Sequence, residues 1–268
     1  MLALDFVQAS DCGRVRDHNE DYLGCVLPEA PEQGQTHGWL FALADGVGGQ
    51  EKGEVASRTA VETLLAGFRQ AARGEQLRSL LPRLVQAANL KVYEAGQASK
   101  PGGVAMATTL VTCALRFDRV VVSHVGDSRC YSIRHGHATA LTRDHTLVAE
   151  QARMGLISDQ EAAEAETRHI LTRSLGNGMF VSVETSDYRV LRDDVLLLCS
   201  DGLHGAVPAA ELADIVTRNP DLNVAAQQLI DAANENDGGD NVSVQLIRVR
   251  SVERVGMYRG RPYKLAST

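Results

Sequence analysis

Trp39-Leu40-Phe41-Ala42-Leu43-Ala44 is an apolar run that ends at Asp45-Gly46, and Val195-Leu196-Leu197-Leu198-Cys199 is a second that ends, after Ser200, at Asp201-Gly202. Short apolar runs bounded by turn residues read as strands buried on both faces. An ionised aspartate at the tip of such a strand is costly to desolvate unless a cation or a hydrogen-bond donor meets it. The glycine that follows permits φ > 0 and lets the backbone come close to whatever the carboxylate holds. Either Asp-Gly alone reads first as a turn. Two on one plan, with further acidic strand ends elsewhere in the chain, point to carboxylates converging on a hard cation.

Outward from these strands, 6–9 and 22–27 read as two more, separated by a stretch too polar for a core strand. The segment 28–38 has two prolines and two glycines and reads as a surface loop. Apolar residues at helical spacing predict a helix over 51–70, through Val61, Leu64, Leu65 and Phe68. A second over 76–97 puts Leu77, Leu81, Leu84, Ala88, Val92 and Ala95 on one face. Pro82 is expected to kink that helix or to mark its true start. A loop follows at 99–103. Strands are predicted at 108–115, 119–125, 128–134 and 138–141, and their short turns predict antiparallel pairing of neighbours, because a parallel crossover needs about a dozen residues or more.

The polar stretch 144–178 breaks this rhythm. It holds a helical segment at 147–154 and a capping box, Ser158 with Glu161, and reads as a lid inserted between strands. Strand alternation returns at 180–190. Helices are predicted at 208–218 and 224–235, then a last strand at 242–249 and a peripheral or mobile tail at 252–268. This order predicts an α+β fold, a four-layer αββα sandwich with two antiparallel sheets face to face and a helix pair on each outer face.

The 268 residues are 44% hydrophobic and 23% charged, the composition of an ordinary globular protein, and the formal net charge is −7. That balance argues against a nucleic-acid partner, which would need clustered Lys and Arg. The five cysteines are odd in number, scattered and free of any Cys-x-x-Cys pair, which fits a reducing compartment better than a disulfide framework. No basic leader and no apolar run approaching ~18 residues is present, so a cytoplasmic protein without a membrane span is expected.

Asp21, Asp45, Asp127, Asp201 and Asp240 each stand where a strand ends or a glycine turn begins, with Glu20 beside Asp21. Each alone reads as a turn former or cap, and Gly126-Asp127 reads as the turn of a hairpin. Together they can share a pocket only with metal, since like charges repel strongly where the dielectric is low. All-oxygen ligands favour Mg or Mn, and no Cys/His cluster is expected to offer a competing site. Two such ions activate a water and clamp a phosphoryl oxygen. Rival signatures are weaker. Cys113 and Arg119 have the spacing of thiol phosphatases, but no glycine lies between them to cradle a phosphate, and Cys113 reads as a buried strand residue. There is no Gly-x-Ser-x-Gly elbow, and the glycines at 46–53 lack the ending of a P-loop.

Five segments occur in an order that resembles one family: Arg16-x-x-Asn19-Glu20-Asp21, Ala44-Asp45-Gly46-x-Gly48-Gly49, Gly126-Asp127-Ser128-Arg129, Ser200-Asp201-Gly202 and Asp240-Asn241-Val242-Ser243. Over about 5–249 the chain resembles the metal-dependent protein phosphatases of the 2C type, the PPM family, in their bacterial form. The resemblance implies the αββα sandwich and hydrolysis of phosphoserine and phosphothreonine by a water bridging two Mn(II) or Mg(II) ions. It implies that Asp45 bridges both ions, that the Gly46 carbonyl is a further ligand, and that Asp201 and Asp240 hold the first ion. Asp21 would serve directly or through water, and Asp127 with Asp201 would match a third, weaker site. Glu20 and Asn241 stand beside these as supporting residues. Arg16 would clamp the substrate phosphate with its planar fork; without the resemblance it reads as a surface arginine pairing with Asp17 or Glu20.

On the same basis 1–251 is the catalytic domain, about 144–178 its flap and 252–268 a tail. The expected protein is a monomeric phosphatase of phosphorylated proteins, opposing a cognate Ser/Thr kinase. Two departures stand out. Val47 follows Asp45-Gly46 where many eukaryotic members carry a histidine proposed as general acid, which leaves the proton donor open. Ala107-Thr108-Thr109 stands where Gly-Thr-Thr is commoner, with no functional consequence attached. Two alternatives are open on sequence: a small-molecule phosphoesterase, which an apolar substrate pocket would support, and a catalytically silent phosphoprotein-binding pseudophosphatase, which the full set of carboxylates speaks against.

Overall fold

The two apolar runs are inner strands of two different sheets, and a computed structural model describes residues 1–47, 51–98, 106–253, 255–258 and 261–264 of the chain. In chain order the elements begin with β1 (Ala3–Asp11), β2 (Asp21–Val26), α1 (Pro31–Thr36) and β3 (Trp39–Val47). The helices α2 (Glu51–Arg69) and α3 (Leu77–Ala98) come next, then β4 (Ala107–Thr108), β5 (Leu110–Arg116), β6 (Arg119–Val125), β7 (Arg129–Arg134) and β8 (His137–Ala140). After α4 (Leu147–Arg153) and α5 (Asp159–Glu164) the chain continues through β9 (Glu184–Arg189), β10 (Val195–Cys199), α6 (Asp201–His204), α7 (Ala209–Arg218), α8 (Leu222–Asn236) and β11 (Val242–Ser251). A small hairpin, β12 (Val255–Tyr258) with β13 (Arg261–Lys264), lies in the predicted tail and forms its own two-stranded sheet.

One main sheet runs β1-β11-β10-β7-β8; the other runs β2-β3-β5-β6-β9, with β4 also paired to β3. Their pairings are antiparallel. Side chains along a strand alternate between faces, and the alternation of the two founding runs sets the layers. Leu40, Ala42 and Ala44 of β3 pack with Leu64, Phe68, Leu81 and Val92 of α2 and α3. Phe41 and Leu43 point the other way, into a layer shared with Leu196, Leu198, Ile247 and Val249. On β10, Val195, Leu197 and Cys199 pack with Leu212, Val216 and Leu229 of α7 and α8. Both runs are buried on two faces, which is why they show no polar alternation. Each fully buried Leu or Phe contributes about 1.5–3 kcal/mol, and the three apolar layers together make the αββα sandwich.

The structure corrects the sequence reading in several places. The surface loop at 28–38 contains α1, opened by Pro31, a position where its missing N–H costs nothing. Pro82 does not start its helix but lies inside α3, which begins at Leu77. The predicted strand 108–115 is interrupted at Thr109, and 180–190 is strand only over Glu184–Arg189, because Gln86 of α3 binds the Met179 carbonyl and the Val181 N–H instead. The largest correction concerns β6 and β7. They are neighbours in sequence but lie in different sheets, so Gly126-Asp127 is a crossing between sheets and not a hairpin turn. Gly126 has φ +103, open to glycine and not to L-residues, and the crossing depends on it. The expected loop at 99–103 and the glycines at 48 and 49 lie outside the described residues. No helix among the described residues is long and apolar enough to cross a membrane.

Candidate metal centre

β3 does not stop at Asp45. It continues through Gly46 and Val47, which pair with Thr108 and Ala107 of β4. The Asp45 backbone is gripped from that side: its N–H donates to Thr109 Oγ1 (3.0 Å), and its carbonyl accepts from the Thr109 N–H (2.8 Å) and from Thr108 Oγ1 (2.7 Å). Thr109 also bonds Ser128 Oγ at 2.7 Å, tying β3 to the crossing that carries Asp127. The Thr108-Thr109 pair, to which the sequence attached no consequence, is thus the clamp on Asp45. Nor does Gly46 take φ > 0; it is needed for closeness, since a Cβ there would lie 2.3 Å from the Gly53 backbone.

Asp21 opens β2 and sits directly opposite Asp45 in the antiparallel register. It is buried, and Ser200 Oγ donates to its Oδ2 at 2.8 Å, a link from one sheet to the other. Glu20 lies beneath the start of α2, its carboxylate so close to Gly53 that a Cβ on that glycine would meet it at 2.6 Å. Asn241 organises this floor. Its Oδ1 accepts the Glu20 N–H (2.8 Å), and its Nδ2 donates to the carbonyls of Cys12 (2.9 Å) and His18 (3.0 Å).

From the other sheet, Asp201 begins α6 directly after β10, and Asp240 sits just before β11. Arg16 donates from Nη2 to Asp240 Oδ2 at 2.9 Å and from Nε to the Gly239 carbonyl at 3.3 Å, so its partner is Asp240 and neither Asp17 nor Glu20. Asp127 is buried at the crossing, and its carbonyl accepts from His204 Nε2 at 2.9 Å. These segments enclose a cavity of about 160 Å³, walled by Arg16, Glu20, Asp45, Gly46, Asp127, Asp201, Asp240 and Asn241. Asp21 alone of the sequence-derived residues does not line it, standing behind Asp45.

Electrostatics identify what this cavity suits. Burial first, and then Asp201 and Asp240, push the Asp21 carboxyl up to about 7. Burial and Asp201 push Asp127 to about 7 as well, and burial with Asp21 holds Asp45 well above the ordinary range. Asp201 differs: burial opposes its ionisation, but His169, His204 and Asp45 together outweigh burial and the carboxyl is held low. Three buried carboxylate oxygens, Glu20 Oε1, Asp21 Oδ1 and Asp201 Oδ1, have no hydrogen-bond partner. A buried unpaired acceptor costs about 1–3 kcal/mol, more when charged. Orphaned oxygens, raised carboxyls and an all-oxygen donor set fit hard divalent cations.

The sequence reading missed two polar wall residues, Thr109 and His169, and the apolar Leu171. His169 Nδ1 lies 3.7 Å from Asp201 Oδ2, and that carboxylate raises the imidazole's pKa. A lone histidine in a polar insert carries no spacing signal. The reading also expected no competing histidine cluster, yet His124, His145 and Glu184 come together beside the crossing. Their chemistry is structural. The two rings stack at 4.7 Å and 13°, so their in-plane lone pairs run parallel and do not converge. His124 Nε2 is spent on the Arg143 carbonyl (2.7 Å), and His145 Nδ1 accepts the Gly126 N–H (3.2 Å). Burial and His124 lower the His145 pKa to about 4, so this ring is neutral at pH 7 and buttresses the crossing.

The insert is rooted at both ends. Arg129 holds Asp144 with two hydrogen bonds (2.8 and 2.7 Å), and Leu171 and Leu175 form isolated bridges with Thr146 and Thr108. The Ser158 and Glu161 capping box is present.

A family model described as Protein phosphatase 2C matches residues 14–242. A serine/threonine phosphatase stp of Listeria innocua is 36% identical over 257 residues, covering 94% of this chain and 96% of that protein. Among solved structures, the serine/threonine phosphatase of S. agalactiae superposes with a TM-score of 0.83 at 30% identity, over 92% of this chain and 100% of that one. The catalytic domain of the serine/threonine protein phosphatase PstP, solved in complex with two manganese ions, gives 0.79 at 31% identity, over 94% and 100%.

Proposed function

This chain belongs to the protein phosphatase 2C family and is a protein serine/threonine phosphatase, and from that premise we propose that the acidic cavity hydrolyses phosphoserine and phosphothreonine with Mn(II) or Mg(II). The observation that carries this reading is the convergence of four aspartates from four segments on one cavity, with Asp21 opposite Asp45 in the ladder and buried carboxylate oxygens left unpaired. Asp45, the Gly46 carbonyl, Asp201, Asp240 and Asp21 would hold two tight ions, and Asp127 with Asp201 a third, weaker one. Bound there, the divalent ions supply an activated water and neutralise charge on the phosphoryl oxygens.

The chain's own residues do the rest. The Thr108-Thr109 clamp fixes the Asp45 backbone and so holds the base of its side chain in place. Arg16 receives the phosphate with two parallel N–H donors, and to do so it exchanges its bond to Asp240 for the substrate. Val47 bears no titratable proton, so another group must protonate the leaving alkoxide, and we assign that role to the Asp127 side of the cavity. We read 1–251 as the catalytic unit, 144–178 as the flap and 252–268 as a tail outside it. The enzyme acts as a cytoplasmic monomer on phosphoproteins and opposes a Ser/Thr kinase. The cavity walls are polar apart from Val47 and Leu171, which gives little support to a small-molecule phosphoesterase.

The test is turnover of p-nitrophenyl phosphate and of a phosphothreonine peptide, each in EDTA and with Mn(II) added back. Metal-dependent turnover of both supports the reading. Turnover of p-nitrophenyl phosphate with none of the peptide overturns it in favour of small-molecule chemistry, and turnover undiminished in EDTA removes the metal.

A further inference from the structure

Beside the metal cavity, and sharing Asp127, His169 and Asp201 with it, lies a groove of about 800 Å³ between the insert and the body. That volume is in the range of sites that enclose a drug-sized ligand, enough for a few residues of extended peptide. Its floor is small and apolar where α4 and α5 supply Ala149, Ala152 and Ala162, so a chain can lie close to it.

The groove's rim is basic in a protein whose net charge is −7. Four arginines reach it. Arg129 is neutralised by its two hydrogen bonds to Asp144. Arg143, Arg153 and Arg168 are exposed, and among the described residues none of the three has a carboxylate in ion-pair contact. Of the acids of the insert, Asp144 is held by Arg129, Glu150 accepts from Thr172, Glu161 caps Ser158, and Glu164 accepts from Gln160. Arg168 is the hinge of the arrangement, because it also lines a second depression together with Arg16 and Asp240. A substrate whose phosphate meets Arg16 therefore has its neighbouring residues carried past Arg168 and into the groove. Along that path these three guanidinium groups, without a carboxylate partner among the described residues, match planar anions, carboxylate or phosphoryl.

We propose that this groove is a specificity site that selects phosphoproteins with an anionic side chain close to the phosphorylated residue. The proposal rests on the phosphatase reading above and adds which substrates that site prefers. Rim charges of this kind act through attraction and selection more than through raw affinity, and they are screened by salt.

The test is kcat/KM on phosphothreonine peptides of one length whose flanks, on either side, carry Glu, a second phosphothreonine, Ala or Lys. At low salt the anionic peptides should exceed the Lys peptide by on the order of tenfold, and the gap should narrow as ionic strength rises. A gain with Glu assigns carboxylates as ligands, and a gain confined to the second phosphothreonine assigns phosphoryl groups; either upholds the site. Arg153→Glu and Arg168→Glu should shrink or invert the preference, and a preference intact in both removes it from this groove. Equal kcat/KM across the series overturns the proposal while leaving the phosphatase reading standing. Turnover of p-nitrophenyl phosphate with no turnover of any peptide overturns both.

Discussion

On the β2–β3 side of the cavity Asp21 and Asp45 face each other across the ladder and, among the described residues, neither is in an ion pair, whereas on the α6–β11 side Asp201 and Asp240 each meet a partner. The first pair is set by strand register, which cannot adjust: like charges directly opposite on neighbouring strands are destabilising. The second pair stands at a helix start and in a loop, where His169, Arg16 and the Asn241 N–H can reach the carboxylates. Burial pushes Asp21 and Asp45 toward the protonated form, while Asp201 is held ionised. One side stores repulsion that only a proton or a metal relieves. The other keeps charge ready at little cost.

The hardest way to break this contrast is to remove what both sides share. Activity should vanish in EDTA and return with Mn(II) or Mg(II), and Asp45→Asn and Asp201→Asn should each lower turnover ~10³-fold or more. Near-normal turnover in either variant, measured with saturating Mn(II), would show that the two sides do not act as one centre. A smaller effect belongs to Arg16, which stands on the α6–β11 side. Arg16→Ala should lower kcat/KM by ~10- to 1000-fold with metal affinity nearly intact, and Arg16→Lys should recover only part of it. Full recovery by lysine would reduce the fork to a point charge.

Asp127 belongs to neither pair, and its variant tests whether a third contribution exists. Asp127→Ala should keep the fold and the two tight ions, and slow phosphopeptide turnover by on the order of 10²-fold. The loss on p-nitrophenyl phosphate should be smaller, because that leaving group needs no proton. Equal losses on both substrates would remove proton delivery from this residue.

The smallest effect is the most direct on the contrast itself, and it is read as thermal stability of the metal-free protein. Asp21 has a folded pKa of about 7 against 3.8 unfolded, so its favourable contribution is complete below about pH 4 and is lost as pH rises through 7. Asp201 is lowered, so its contribution is present above the ordinary carboxylate range and is lost on acidification. At pH 7 in EDTA, Asp21→Asn should therefore raise Tm and Asp201→Asn should lower it, by a few degrees at roughly 2–4 °C per kcal/mol. Shifts of one sign in both variants would mean that the two sides are electrostatically alike.

Much of this was legible in the chain. The two-sided burial of 39–44 and 195–199 follows from unbroken apolar runs, and it set all four layers. Asp21, Asp45, Asp201 and Asp240 were legible because each acid interrupts or flanks such a strand beside turn residues. What failed was partnership at a distance. The three residues between β6 and β7 look like any hairpin, since local spacing reports that a chain turns and not which sheet it joins next. Thr109 gave no sign because its work is done through the Asp45 backbone, and the partner of Arg16 proved to be a residue 224 positions away.

That separation has a consequence for the life of the polypeptide. Among the described residues β1 pairs with β11 alone, and the cavity draws on segments from Arg16 to Asn241. A chain emerging from the ribosome can assemble α2 and α3 on their sheet early, but it holds no complete acidic centre until residues past 240 are made. On the proposed reading, partial products and prematurely ended chains should therefore be catalytically silent, with activity arriving only on the docking of the last long strand.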